Sequence, residues 1–257
     1  MDYETRRILI TVKTYPNPSK KYIETVCVAG IDLEKNEWLR LYPIRFRDLE
    51  EDKKFKKYNI IEIKVFKPTD DSRPESYKVV PDSIKIIDHL KTTKDKWSRR
   101  KSIVLPTVSN SMCEIIKQNK ENKKSLGVFK PLNADFYWKK SRKIDAEEIK
   151  SYYSQLSFLD NKKLAIEHIP YDFYYKFYCY NESNCLGHNF SIIDWEIKQA
   201  YRDWRYSYKD EELLLNKIKE RWLYMTSKKR DTYFYVGNMK RFPDNFMVLG
   251  VFYPPKI

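Results

Sequence analysis

Over the first ninety residues, apolar and polar positions alternate in short runs. RRILITVKTY, YIETVCVAGID, EWLRLYPI, YNIIEIKVFK and ESYKVV are rich in β-branched and aromatic side chains, and Pro16, Pro18, Asn36, Pro68 and Pro74 fall between them. The pattern predicts five strands divided by turns, and five strands at this spacing predict a small closed or half-closed barrel over residues 1–90. The interval LEEDKKFKKY, Leu49 to Tyr58, predicts a charged loop or a short helical turn.

Residues 91–257 mix two periods. SNSMCEIIKQNKENKK predicts a helix with Ser109 or Ser111 near its start, and LGVFKP a strand. YDFYYKFYCY alternates as a strand does, with Phe173, Tyr175, Phe177 and Cys179 on one face. From about Ser191 to Tyr206, Ile193, Ile197, Tyr201 and Trp204 recur at helical steps, and KDEELLLNKIKERWLYM predicts a second helix. DTYFYVGN and NFMVLGVFYPP predict two strands pairing across MKRFPD. The fold class is therefore α+β, a barrel followed by a mixed strand and helix lobe.

Charge adds a partner to this picture. Lys and Arg total 50 against 36 Asp and Glu, a formal charge of +14 in 257 residues, and 21 tyrosines contribute to an aromatic share of 16%. Cations and rings together suit a polyanion whose bases can stack, which means DNA or RNA. The basic candidates cluster: Trp97, Arg99, Arg100 and Lys101 in one stretch, Lys139, Lys140, Arg142 and Lys143 in another, and Arg202 and Arg205 beyond the expected helix start. Each cluster taken singly also fits a solvated face. No apolar run reaches the ~20 residues of a membrane span, and the amino end has no signal-peptide pattern, so a cytoplasmic protein with reduced cysteines is expected, with no membrane partner.

The run SKKYIETVCVAGIDLEKNEWLRLYPI, Ser19 to Ile44, narrows the barrel. Ser19 and Lys20, the Cys27–Ile31 strand CVAGI and the Trp38-Leu39-Arg40 strand resemble the start of the OB-like barrel domains, sometimes described as dual-OB, in proteins of bacterial conflict and defence loci. The pattern departs after Arg40, where LYPIRFRDL replaces a shorter continuation. The resemblance implies an OB-like barrel that handles nucleic acid as a recognition or accessory component of a prokaryotic defence system, alongside other subunits of such a system. The residues themselves point the same way: Trp38, Arg40, Tyr42, Arg45 and Arg47 interleave rings with guanidinium groups, and Trp38, Arg40 and Tyr42 share one face of a strand. That face either holds nucleic acid or turns into the barrel. A subunit that docks an acidic protein partner is the third class consistent with the charge.

The stretch CYNESNCLGHNFSIIDWEIK, Cys179 to Lys198, concentrates chemistry. Cys179, Cys185 and His188 are zinc-type ligands in a short loop, with the fourth to come from His168, Cys113, Asp194 or water. Asp194, Glu196 and Lys198 have the spacing of a restriction-type nuclease string, in which carboxylates hold Mg²⁺ and a lysine activates water. On a helix, however, the two acids would lie about 200° apart. Ser191 with Asp194 instead has the form of a capping box. There is no phosphate-binding glycine loop and no nucleophile elbow.

Overall fold

The structure is a computed structural model that describes residues 2–19, 23–93, 97–141 and 167–256. Its first sheet is built from β1 (Glu4–Lys13), β2 (Asn17–Ser19), β3 (Ile23–Asp32), β4 (Trp38–Ile44), β5 (Asn59–Phe66), β6 (Ser76–Val79) and β7 (Lys85–His89). The order β1-β3-β4-β6-β5 closes because β5 pairs back onto β1, giving a five-stranded barrel with β2 and β7 as extensions. The pairing of β4 with β6 is parallel and the other four are antiparallel. With β5 returning to lie beside β1, followed by β3 and β4, the arrangement is a Greek key. The charged interval after β4 forms two single 3-10 turns, Phe46–Asp48 and Glu51–Lys53.

The second sheet joins β8 (Val108–Ser109), β9 (Leu126–Phe129), β10 (Pro131–Lys140), β11 (Tyr171–Cys179), β12 (His188–Ile192), β13 (Tyr233–Met239) and β14 (Phe242–Phe252) in the order β10-β11-β12-β14-β13-β9-β8. Four helices accompany the two sheets: α1 (Ser98–Val104), α2 (Met112–Asn122), α3 (Trp195–Trp204) and α4 (Glu211–Met225). Helices α2 to α4 pack on one face of the second sheet, where Phe173, Tyr175 and Phe177 meet Ile197, Ile218 and Trp222. Its other face packs on the barrel.

Alternation explains how one sheet serves two cores. In β14, Phe246 and Val248 face the helices, while Met247 and Leu249 face the barrel. In β1, Ile8 and Ile10 fill the barrel interior, whereas Leu9 and, past an irregularity in register, Val12 meet the second sheet. The run ILITV is therefore apolar at nearly every position because both of its faces are covered. Gly30 sits where β3 crosses β1: an added Cβ would collide with the Leu9 carbonyl and the Ile8 side chain. Gly30→Ala is expected to cost ~1–3 kcal/mol through displaced backbone, read as a lower urea midpoint at unchanged slope.

Three expectations need correction. The stretch expected to be a loop around Trp97 to Lys101 forms α1, with Val104 buried at its end. The helix expected from Ser191 starts at Trp195, because Ser191 and Ile192 still belong to β12. PLNADFYWKK, given no element from sequence, is β10, the edge strand that pairs with β11.

Candidate metal centre and binding cavity

The metal-ligating residues come from three places in the fold. β11 delivers Cys179 at its last position, the loop that follows carries Cys185, and β12 begins with His188. The fourth residue is Cys113, in the first turn of α2, whose start is fixed by Ser111 accepting a hydrogen bond from the Glu114 amide. The ligand atoms of all four lie within 4.8 Å of one another. His188 Nε2 is 3.4 Å from Cys185 Sγ, 3.5 Å from Cys179 Sγ and 3.6 Å from Cys113 Sγ, and the two sulfurs of Cys113 and Cys179 are 3.9 Å apart. A tetrahedral ion with metal–sulfur bonds of about 2.3 Å and a metal–nitrogen bond of about 2.0 Å requires separations of roughly 3.8 Å between sulfurs and 3.5 Å from sulfur to nitrogen. The group could hold a metal ion, and its geometry fits one without rearrangement.

The surroundings favour the ligating forms. The amides of Cys179 and Gly187 donate to Cys185 Sγ, and the amide of Met112 donates to Cys179 Sγ. Gly187 makes the return turn at φ +88, against the ring of Tyr178. Burial and the neighbouring Cys179 push the Cys113 thiol up to about 12, and burial raises Cys179 as well. Burial also acts on Cys185, but the two amides and the other thiols outweigh it and leave this thiol below its ordinary value. Burial lowers His188, which keeps the imidazole neutral. Three thiols this close ionise together only around a cation. Of the four candidates for the last ligand, Cys113 takes the place. Asp194 is held elsewhere, as described below, and His168 lies outside the group.

A second feature lies where the barrel meets the second sheet. A cavity of about 560 Å³ opens between the β3–β4 face and the β13–β14 hairpin. Its charged lining residues are Arg40, Arg73, Lys240 and Arg241, with no carboxylate among the described residues that line it. Ile193, Met247 and Leu249 form an apolar part of the wall, and exposed Tyr42 stands at the edge. Arg40 is 4% exposed and reaches across to the second lobe: its Nη2 donates to Ser125 Oγ at 2.9 Å and its Nη1 to Cys27 Sγ at 3.1 Å. Arg73 is held by Asp71 at 2.7 Å, and Lys240 donates to the Asp70 carbonyl.

Residues 4–106 match one family model, a domain of unknown function (DUF8758), and residues 108–257 match another, a domain of unknown function (DUF8757). The chain belongs to the DUF8757 family. No curated protein matches it. The metal-ligating group lies wholly within the DUF8757 part, whereas the cavity takes walls from both matched regions.

The DUF8757 part also contains the acid-x-acid-x-lysine string, and the structure divides it. Asp194 is the N-cap of α3 with non-helical backbone, so the 200° separation does not apply to it. Asp194 and Glu196 converge on the ammonium of Lys57 from the barrel, at 2.9 and 3.2 Å. Lys198 turns away to the Tyr171 carbonyl and Asp172. The two carboxylates thus hold a buried ammonium rather than facing a common opening with Lys198. Burial alone would lower Lys57, but Asp194 and Glu196 more than offset it and keep it charged; burial raises Asp194 to about 6. Lys13, beside them over the rings of Phe46 and Trp195, is lowered to about 8, first by burial and then by Lys57. Ser191 makes no cap: Asp194 itself accepts from the Glu196 amide.

The remaining basic and aromatic candidates are scattered. Trp38 and Arg40 are buried, which corrects the expectation of an open Trp38-Arg40-Tyr42 face; the second sheet covers both, and only Tyr42 stays exposed. Arg100 is buried too, its guanidinium over Tyr58 and its Nε bonded to the Leu90 carbonyl. Trp97 packs on Phe252 and Tyr253. Arg45 pairs with Asp48, Arg47 is half-buried, and Arg99 pairs with Asp88. Lys101 is half-buried, and Lys139 and Lys140 are exposed at the end of β10. Arg202 and Arg205 both pair with Glu167, and Arg142 and Lys143 lie outside the described residues. Sequence reasoning missed Arg73, Lys240 and Arg241. Lys240 and Arg241 sit in the tight turn of a hairpin, a position whose neighbours in space the sequence does not give.

No helix among the described residues is long and apolar enough to cross a membrane.

Proposed function

We propose that the protein binds single-stranded nucleic acid in the cavity between the β3–β4 face and the β13–β14 hairpin, on an OB-like barrel, with zinc as a structural staple of the second lobe. The observation that carries this reading is the lining of that cavity: four cations, no carboxylate, and a tyrosine at the edge. OB-folds are five-stranded Greek-key barrels that bind oligonucleotides on their second and third strands, flanked by the loops after the first and fourth strands. Here those strands are β3 and β4, and the loops contribute Thr14 and Arg73 to the same cavity. The three-sulfur, one-nitrogen ligand set is a structural zinc set, closed to a fifth group. Work as a recognition or accessory component of a prokaryotic defence system rests on the resemblance of the Ser19–Ile44 run.

The test is fluorescence anisotropy with labelled single- and double-stranded DNA and RNA at two salt concentrations. Single strands should bind more tightly than duplex, and affinity should fall steeply with salt. Tyr42→Ala should weaken binding about tenfold, the worth of one stacked base, and Arg241→Ala should reduce the salt slope by about one. Binding unchanged by both substitutions, or independent of salt, overturns the assignment. No affinity for any naked nucleic acid points instead to a subunit that docks an acidic protein.

A further inference from the structure

Arg40, Ser125 and Glu75 form a buried chain at the junction of the lobes. Arg40 donates to Ser125 Oγ, and the Ser125 hydroxyl and amide both donate to Glu75 Oε1. Arg40 lines the cationic cavity, and Glu75 lines a second cavity of about 590 Å³ with the opposite character. Its carboxylates are Glu37, Glu75 and Glu114, its one cation is Lys124, and the amides of Asn36, Asn110 and Gln118 complete the polar wall. A net negative cavity is unexpected on a chain of charge +14.

Two atoms of its lining residues lack partners. Glu75 is 6% exposed, and its Oε2 accepts no hydrogen bond. Trp38 is 8% exposed, and its Nε1 donates none. A buried carboxylate oxygen calls for a charged donor and an indole N–H for an acceptor, so the complementary ligand carries both. A bare metal ion satisfies only the first, and the one group of metal-ligand spacing among the described residues is the cysteine and histidine cluster. We propose that this cavity is a binding site for a small organic cation that bears a guanidinium or ammonium group together with a hydrogen-bond acceptor, the chemistry of a free basic amino acid.

The probe is L-arginine, titrated calorimetrically into the full chain, with L-citrulline as its uncharged isostere. Arginine should bind and citrulline should bind about tenfold more weakly, the difference made by one charge-assisted hydrogen bond. Glu75→Gln should weaken arginine by a similar factor. Because Glu75 also anchors Ser125, the independent variant is Glu114→Gln, which should weaken arginine about threefold with unchanged circular dichroism. Absence of heat with arginine at about 10 mM, equal affinity for the two probes, or arginine binding unaltered in Glu114→Gln overturns the proposal.

Discussion

Replacing Asp194 by Asn is expected to destabilise the protein by about 3–5 kcal/mol, because it leaves the Lys57 ammonium buried without its principal counter-charge. Asn is as good an N-cap as Asp, so the substitution keeps the start of α3 and removes only the charge. Glu196 also reaches Lys57, yet its side chain is 52% exposed, and Glu196→Gln should cost under about 1 kcal/mol. The double variant Lys57→Met with Asp194→Leu should recover most of the loss, since an apolar pair requires no compensation for desolvated charge. Urea unfolding of the four proteins checks the series. Equal losses in Asp194→Asn and Glu196→Gln would show that the cap, not the ion pair, is the source.

The second large effect is loss of zinc. With free zinc a thousandfold above its dissociation constant, binding contributes about 4 kcal/mol to stability, so chelation should lower the melting temperature by roughly 10 °C. Mass spectrometry of the purified protein should find one zinc per chain. Cys113→Ser should reduce occupancy as severely as Cys185→Ser, although Cys113 lies 66 positions from Cys179, and His168→Ala should leave occupancy intact. A cobalt-substituted protein should show thiolate charge-transfer absorption that disappears in each cysteine variant. Full zinc occupancy in Cys113→Ser would exclude α2 from the centre.

The contrast between Cys113 and Cys185 shows what the sequence made legible. Cys179, Cys185 and His188 stand within ten residues, and local spacing alone brings them together. Cys113 joins only because α2 packs against the end of β11, and contacts of that range follow from the assembled sheet. The strands of the barrel were readable because β-branched runs and prolines act locally, and the alternation of β11 placed Phe173, Tyr175, Phe177 and Cys179 correctly in the core. Where local rules failed, a distant element intervened. Trp38 and Arg40 do share the face that alternation assigns them, but a second sheet lies over it. Asp194 falls in a helical pattern, yet the chain bends there to reach β1, where the Tyr15 amide donates to the Ile193 carbonyl. The cationic cavity itself belongs to neither half of the chain, which is why its hairpin cations carried no sequence signal.

The apolar core between the lobes takes Leu9, Ala29, Ile31 and Trp38 from the DUF8758 region and Val128, Tyr235, Leu249 and Phe252 from the DUF8757 region. Two lineages recognisable as separate in sequence thus meet in one interior. For an engineer this removes the modular option: neither region can be exchanged for a homologue without carrying over the matching wall from the other. For evolution it means that substitutions on the two sides of residue 107 are not independent, and that recombination at this junction is selected against unless both surfaces travel together.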